Sequence, residues 1–504
     1  MMCLMRWRNL FLLAAAIPCL NAADWIKVRS ANFTLYSTHE ENDARRTLET
    51  FEQTRSFFQQ VKSFAVTSQL PFTLVDFGSE SEYRPYTVGP FVRAYFTGDE
   101  EDDYIVMSDV GGEAKRVAVH EYVHSVVRHS GLRLPLWLNE GLAEVYSGME
   151  ARDGMVLVGE IPRDRADTLR SLHWMKLADL TRIGPKSPEF NERDPVGLFY
   201  AQSCLLAHML MLGNGYAAKF STFLETISTS GSEQTAFAQA YGKSVIEIER
   251  DMQSYFGTPA MGTAAFHAET HRASTGPRAA ATDVEIGLTL ARILTLTGRL
   301  SEGMARLHLL ATTHKDNVDI AEAAALLEWR IGEVDKALEH FQSILGRQEV
   351  GWRAWWDYAR VLDAEGANRA AEMDALRKVV KAKPDLAVAR ILLGNDLLAA
   401  GEPAEALTEL KEVKEVASRS AGAMYLTMAN AALATGQAAQ AKQYAEEAGK
   451  CPLRLDEQRR LQRILSLIES GAPLSTGVRP KDATDDDPGR PILRRQTKKQ
   501  NQPE

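Results

Sequence analysis

The stretch His120-Glu121-Tyr122-Val123-His124, followed downstream by Trp137-Leu138-Asn139-Glu140-Gly141-Leu142-Ala143-Glu144, decides how the first half of the chain is read. On a helix, residues four apart stack on one face, so both imidazoles reach one cation while Glu121, one step round, points beside it. Glu113 to Val119 and Ser125 to His129 contain no Gly or Pro, and Val119, Tyr122, Val123, Val126 and Val127 recur at helical spacing, which predicts a helix through the motif. Two histidines do not complete a catalytic zinc site, which takes three protein ligands and keeps one position open. The downstream stretch reads as a second, short helix with two carboxylates four apart on one face. A helix that merely lies on the surface would not require Trp137, Leu138 and Leu142 to alternate with acids, nor Gly141 directly after Glu140.

This combination resembles the gluzincin metallopeptidases, in which a downstream Asn-Glu helix supplies the third ligand. The resemblance implies that Glu140 joins His120 and His124 on one Zn2+, and that Glu144 hydrogen-bonds a ligand histidine and fixes its tautomer and orientation. The connection Ser130 to Leu136, punctuated by Gly131 and Pro135, is shorter than in the thermolysin-like and aminopeptidase-type gluzincins and is most similar to the compact peptidase MA-like proteins. Aminopeptidase-type gluzincins also carry a tyrosine at the start of a later helix, whose hydroxyl stabilises the tetrahedral intermediate. Tyr200, 60 residues past Glu140, stands at the corresponding place; the alternative is a packing residue. In gluzincins a strand just upstream of the zinc helix edges the cleft and pairs with the substrate backbone. Tyr104, Ile105 and Val106, in the stretch Tyr104 to Met107, are placed for that substrate-edge role; the alternative is an interior strand of the same sheet.

The surrounding segments are expected to build a small sheet. Trp25 to Thr38 alternates as a strand, Glu41 to Phe64 is an amphipathic helix with Ala44, Leu48, Phe51, Phe58 and Val61 on one stripe, and Pro71 to Phe77 is a second strand. Phe91 to Phe96 and Tyr104 to Met107 are β-rich, and the acidic turn between them, Thr97 to Asp103, is expected to be solvated. Val196 to Phe256 is predominantly helical, with His208 structural. His267-Ala-Glu-Thr-His271 has the wrong spacing for the metal motif and sits in a loose segment.

Residues 257–282, rich in Gly, Ala, Thr and Pro, read as a linker. Beyond them Gly298, Gly332, Gly366, Gly401 and Gly436 recur at spacings of 34, 34, 35 and 35. Each is followed five residues on by Gly303, Ala337, Ala371, Ala406 or Ala441, and four further by Leu307, Phe341, Ala375, Leu410 or Ala445. A 34-residue period with a turn glycine and a small residue where paired helices touch resembles the tetratricopeptide repeat. The resemblance implies about five helix pairs over 283–470, stacked into a solenoid with a concave groove that takes peptides or protein segments; an array that only buttresses the first domain is the alternative. Residues 471–504 are expected to be disordered.

At 504 residues the chain is long enough for two or three domains, and a composition of 45% apolar and 25% charged residues is that of ordinary globular protein. Arg6 and Arg8, the apolar run Leu10 to Ile17 and the small residues Ala22 and Ala23 have the layout of a secretory signal peptide over 1–22. The run is short for a membrane span, with an uncleaved anchor as the alternative. Removing 1–22 takes away two arginines and no acid, so the net charge moves from −9 to −11; nothing basic invites nucleic acid. Only Cys204 and Cys451 then remain, too few for a disulfide framework. The expectation is an α+β zincin-like domain (23–256) followed by an all-α tetratricopeptide-repeat solenoid. It would be an exported zinc metallopeptidase, periplasmic or extracellular, with Glu121 and Tyr200 as catalytic residues and a peptide or protein substrate. Two alternatives stay open: a non-catalytic binding or assembly protein that works through its groove, and a zinc hydrolase of a non-peptide bond. The aminopeptidase edge motif Gly-x-Met-Glu-Asn is absent, which favours endopeptidase cleavage over recognition of a free amino terminus.

Overall fold

The computed structural model describes residues 25–470, apart from 62–71, 90–91, 100–101, 109–113, 153, 186, 188–192, 268–274, 348–349, 415, 417 and 452. The expected signal segment and disordered tail lie outside the described residues. Residues 25–38, expected as one strand, form an antiparallel hairpin of β1 (Ile26–Arg29) and β2 (Phe33–Ser37). Glu52 pins the turn between them by taking Asn32 with both oxygens, from its backbone N–H at 2.9 Å and its side-chain amide at 2.6 Å. β3 (Phe72–Asp76) runs parallel to β2, β5 (Asp103–Met107) runs parallel to β3, and β4 (Ala94–Gly98) lies antiparallel on the outside of β5. The sheet order is β4-β5-β3-β2-β1-β9, where β9 is Ala279–Ala280. A second sheet orders β6 (Glu150–Arg152), β7 (Met155–Val158) and β8 (Ala264–His267).

Alternation along the strands divides the large sheet into two apolar faces. Val28, Leu35, Leu74, Ile105 and Met107 face a core shared with α1 (Glu41–Gln60). The short α2 (Glu80–Tyr83) follows β3 and buries Tyr83 on the opposite face, with Tyr36, Val75, Phe77, Tyr95, Tyr104 and Val106. The first core is filled mainly by α3 (Ala114–His129) and α4 (Leu136–Ser147). The helices α5 (Arg163–Ser171), α6 (Leu177–Leu180), α7 (Arg193–Leu212), α8 (Phe220–Ser230), α9 (Glu233–Tyr241) and α10 (Val245–Tyr255) complete it.

The second face is covered by the C-terminal part of the chain. Residues Asp283 to Gly449 form five helix pairs: α11 (Asp283–Leu296) with α12 (Leu300–Thr313), α13 (Val318–Arg330) with α14 (Val334–Leu345), α15 (Trp352–Glu365) with α16 (Arg369–Ala382), α17 (Ala387–Ala399) with α18 (Pro403–Lys411), and α19 (Ser418–Ala434) with α20 (Ala438–Gly449). The final helix, α21 (Leu455–Ser470), packs on the last pair. Gly298, Gly332, Gly366, Gly401 and Gly436 each turn the chain between the two helices of a pair with φ from 61° to 93°, the left-handed region where a Cβ is disfavoured. Leu307, Phe341, Ala375, Leu410 and Ala445 are buried between the helices.

Three further expectations change. Residues 257–282 are no free linker, since they lend β8 to the small sheet and β9 to the edge of the large one. Of the His267–His271 segment, His267 ends β8 and the rest lies outside the described residues. The described acids of the turn, Asp99, Asp102 and Asp103, are not solvated. Asp99 accepts from Arg292 of α11 and lies 3.8 Å from Arg330 of α13, and Asp102 takes both terminal nitrogens of Arg353 on α15 at 3.0 and 3.1 Å. Asp103, also buried, meets His129 at the end of α3 at 2.5 Å. These three acids are withdrawn from water because cations from two directions meet them there.

Candidate metal centre

The zinc-motif helix α3 stops where Gly131 takes a φ of 76°, and α4 starts after Pro135, whose carbonyl accepts from Leu138 and Asn139. A proline before the first turn and a left-handed glycine after the last are ordinary helix boundaries, and they set the short connection between the two helices. α4 then runs against α7 so closely that a Cβ on Gly141 would lie 2.3 Å from the Ser203 carbonyl oxygen. Only glycine fits there, and the close crossing carries the neighbouring Glu140 up to the histidines.

His120 and His124, one turn apart on α3, have ring centroids 4.9 Å apart. Glu140 Oε2 lies 3.4 Å from His120 Nε2 and 3.5 Å from His124 Nε2. Glu144, one turn on along α4, sits 3.6 Å from His120 Nδ1, the other nitrogen of the same ring. Tyr200, on α7, has its ring 6.3 Å from that of His120. The residues singled out from the sequence, His120, Glu121, His124, Glu140, Glu144 and Tyr200, are thus brought together from three helices.

Glu121 offers a second set of donors, since its carboxylate and the two imidazoles have atoms within 4.8 Å of one another. Its Oε2, however, accepts the backbone N–H of Phe96 on β4 at 2.8 Å. Glu140 Oε2 is buried with no hydrogen-bond partner, and so is His124 Nδ1. Buried polar atoms without partners are uncommon and require a reason. A tetrahedral zinc ion bound at about 2.1 Å by each ligand would separate its donor atoms by about 3.4 Å, which is the spacing of the Glu140 oxygen from each histidine nitrogen. The donor set of two imidazoles and a carboxylate therefore fits zinc, with Glu121 left beside it.

The electrostatics follow from burial. Desolvation raises the Glu121 carboxyl above its ordinary value against the pull of the two imidazoles, with Glu140 adding to the rise. Burial opposes ionisation of Glu140 and Glu144 too, but the imidazoles hold Glu140 below its usual range, and His120 with Arg165 does the same for Glu144. Burial pushes the Tyr200 hydroxyl well up, so it stays protonated and able to donate.

One expectation about the site is corrected. Tyr104, Ile105 and Val106 belong to β5, which lies between β4 and β3 and is buried along its whole length. They form an interior strand, and Tyr104 and Val106 pack under α11. The edge beside the site is β4, Ala94–Gly98; strand order depends on β3 pairing with β5, which spacing along the chain does not reveal. Sequence reasoning also missed Arg165. Its guanidinium grips both oxygens of Glu144 at 2.9 and 3.1 Å and lies 5.3 Å from the centre of the Tyr200 ring. Its helix carries no motif that would have pointed to it.

No protein-family model and no curated protein matches the chain. Solved structures similar to part of it are tetratricopeptide repeat proteins. A point mutant of MamA is 19% identical, with a TM-score of 0.29, over 33% of this chain and 92% of that one. YrrB, described as a tetratricopeptide repeat protein with an unusual peptide-binding site, is 16% identical with a TM-score of 0.30 over 36% and 90%. A tetratricopeptide repeat protein from Parabacteroides merdae is 14% identical with a TM-score of 0.25 over 58% and 99%. Among the described residues no helix is long and apolar enough to cross a membrane.

Proposed function

We propose that the protein is a zinc-dependent hydrolase of peptide bonds, with His120, His124 and Glu140 as metal ligands and Glu121 as general base. The observation that carries this reading is the convergence of two imidazole nitrogens on a buried carboxylate oxygen at 3.4 and 3.5 Å, with no hydrogen bond to that oxygen. Zinc held there would supply Lewis-acid polarisation and lower the pKa of a water towards about 7. Glu121 takes the proton of the attacking water and returns it to the leaving amine, duties suited to a carboxyl raised by burial. The Phe96 N–H fixes the orientation of Glu121 before substrate enters. Tyr200 donates its hydroxyl proton in a hydrogen bond to the oxygen on which charge develops. Glu144 holds His120 from behind, and Arg165 holds Glu144. Among the described residues β4 pairs with β5 on one side only, so an extended peptide can add to its outer edge through the main-chain groups other than the Phe96 N–H, which Glu121 takes. The layout of residues 1–22 supports an exported protein.

A second reading is favoured by a different observation, the five helix pairs with a turn glycine in each, since stacked pairs of this kind build surfaces that take protein segments. In that reading the array binds a protein partner and the metal centre is idle. Elemental analysis of purified protein separates the two. About one zinc per chain, lost in Glu140→Ala, together with cleavage of a peptide library, supports the hydrolase. A chain that takes up no zinc after reconstitution leaves the binding protein. Zinc without cleavage of any peptide directs the screen to esters and non-peptide amides, and zinc without cleavage of those either leaves the binding protein with an idle centre.

A further inference from the structure

The acidic turn between β4 and β5 joins three parts of the molecule. Its first acid, Asp99, meets Arg292 on α11; Asp102 meets Arg353 on α15 in a two-pronged contact at 3.0 and 3.1 Å; and Asp103 meets His129 on α3 at 2.5 Å. The strand that leads into this turn carries Phe96, whose N–H donates to Glu121 and whose ring lies 5.8 Å from the Arg128 guanidinium, also on α3. Tyr95, the next residue back, points the other way, into the apolar layer under Ile286, Leu290, Ile293 and Leu294 of α11. An edge strand has a hydrogen-bonded neighbour on one side only, so its position depends on what grips its ends and its faces. Here the grip on the far end comes from the first helices of three successive pairs, α11, α13 and α15, through Arg292, Arg330 and Arg353.

We infer that the repeat array is a positioning part of the catalytic cleft: Arg292 and Arg353 hold the β4–β5 turn, and through it hold the edge strand β4 in register beside Glu121. The functional half of this inference rests on the hydrolase reading; the structural half does not. Arg353 is a positioning residue, since it acts on the strand through Asp102 at the turn. The part of the array nearest the sheet is occupied by the protein's own acidic turn, so a protein segment bound by the array would lie on the later helix pairs.

The test uses the full chain and Arg353→Gln, a residue whose side chain keeps 40% of its surface exposed and so tolerates replacement, with Arg353→Lys as the conservative partner. Hydrogen exchange is followed by mass spectrometry in peptides covering 94–98, with α17 and α18 as internal reference, alongside zinc content and steady-state kinetics on a cleaved peptide. The expected result for Arg353→Gln is exchange in β4 faster by about tenfold, unchanged exchange in α17 and α18, unchanged zinc content, and a several-fold rise in KM with kcat near wild type. Arg353→Lys restores both β4 protection and KM. Unchanged β4 exchange in Arg353→Gln overturns the inference, as does faster exchange throughout the array, which would mark the contact as general stabilisation. A kcat that falls with KM unmoved also overturns it. If the wild type cleaves no peptide, the hydrolase reading fails on that result, and the exchange data alone decide whether the array holds the strand.

Discussion

Two clusters of charge, one around buried and part-buried carboxylates and one around the histidine pair, flank strand β4, and they are built on different rules. At the junction with the array, Asp99 and Asp102 are each met by arginine, and the two-pronged Arg353–Asp102 contact uses both carboxylate oxygens. At the candidate metal centre, Glu140 Oε2 and His124 Nδ1 are buried without a well-formed hydrogen bond, and His120 Nε2 and His124 Nε2 converge on the one Glu140 oxygen at 3.4 and 3.5 Å. Arginine set squarely on carboxylate makes a joint; two imidazoles and a carboxylate converging at wider spacing leave room for an ion. The difference separates a buried cluster that holds structure from one poised for chemistry.

The comparison breaks first at Glu121. Replacing it with Gln keeps the three proposed ligands and should lower hydrolysis by about 10²–10⁴-fold while zinc content stays at wild-type level; equal activity of the two proteins would remove Glu121 from the mechanism. At the joint the effect should appear in stability instead. Arg292→Ala strips a part-buried partner from Asp99, which keeps Arg330 at 3.8 Å, and should cost about 1–3 kcal/mol in urea unfolding, with little change in zinc affinity of the folded fraction. A loss below about 1 kcal/mol, the range of exposed pairs, would mean the joint is wetter than its burial implies.

Gly141→Ala sharpens the contrast from the side of packing. The added methyl meets the Ser203 carbonyl, so α4 must move away from α7, at about 1–3 kcal/mol. Because Glu140 is its neighbour, zinc affinity should fall too, which a metal-competition titration reads directly. The smallest effect is expected in the array. Burial pushes the Glu322 carboxyl up to about 7 against the opposing pull of Arg353, with Asp319 adding to the rise and Asp357 hydrogen-bonded to it. The folded state then binds a proton that the unfolded chain releases above about pH 4.5, so this residue's contribution is complete below that value and fades as pH rises through about 7. Stability measured by denaturant from pH 4.5 to 7.5 should decline with a slope that flattens in Glu322→Gln; an unchanged slope would assign the titration to Asp357, which burial also raises.

Much of this protein was determined by local sequence. Four-residue spacing on a helix is set by backbone geometry, so His120 with His124 and Glu140 with Glu144 could be paired before any fold was known. The helix pairs were legible for the same reason, since a glycine at positive φ and a small residue at a helix contact recur wherever the same pair is built again. What tertiary structure alone decided concerns partners distant in the chain. β5 became an interior strand because β3 pairs with it, which moved the cleft's edge from Tyr104–Val106 to Ala94–Gly98. The acids of the turn read as solvated because isolated charge prefers water; Arg292, Arg330 and Arg353 lie some 190 to 250 residues away and reverse that preference only once the array folds back on the sheet. Arg165 reaches Glu144 in the same way, across 21 residues and a second sheet. Periodicity reports what a residue does for its own element, whereas the balance between burying a charge and pairing it is settled by whichever opposite charge the fold brings alongside.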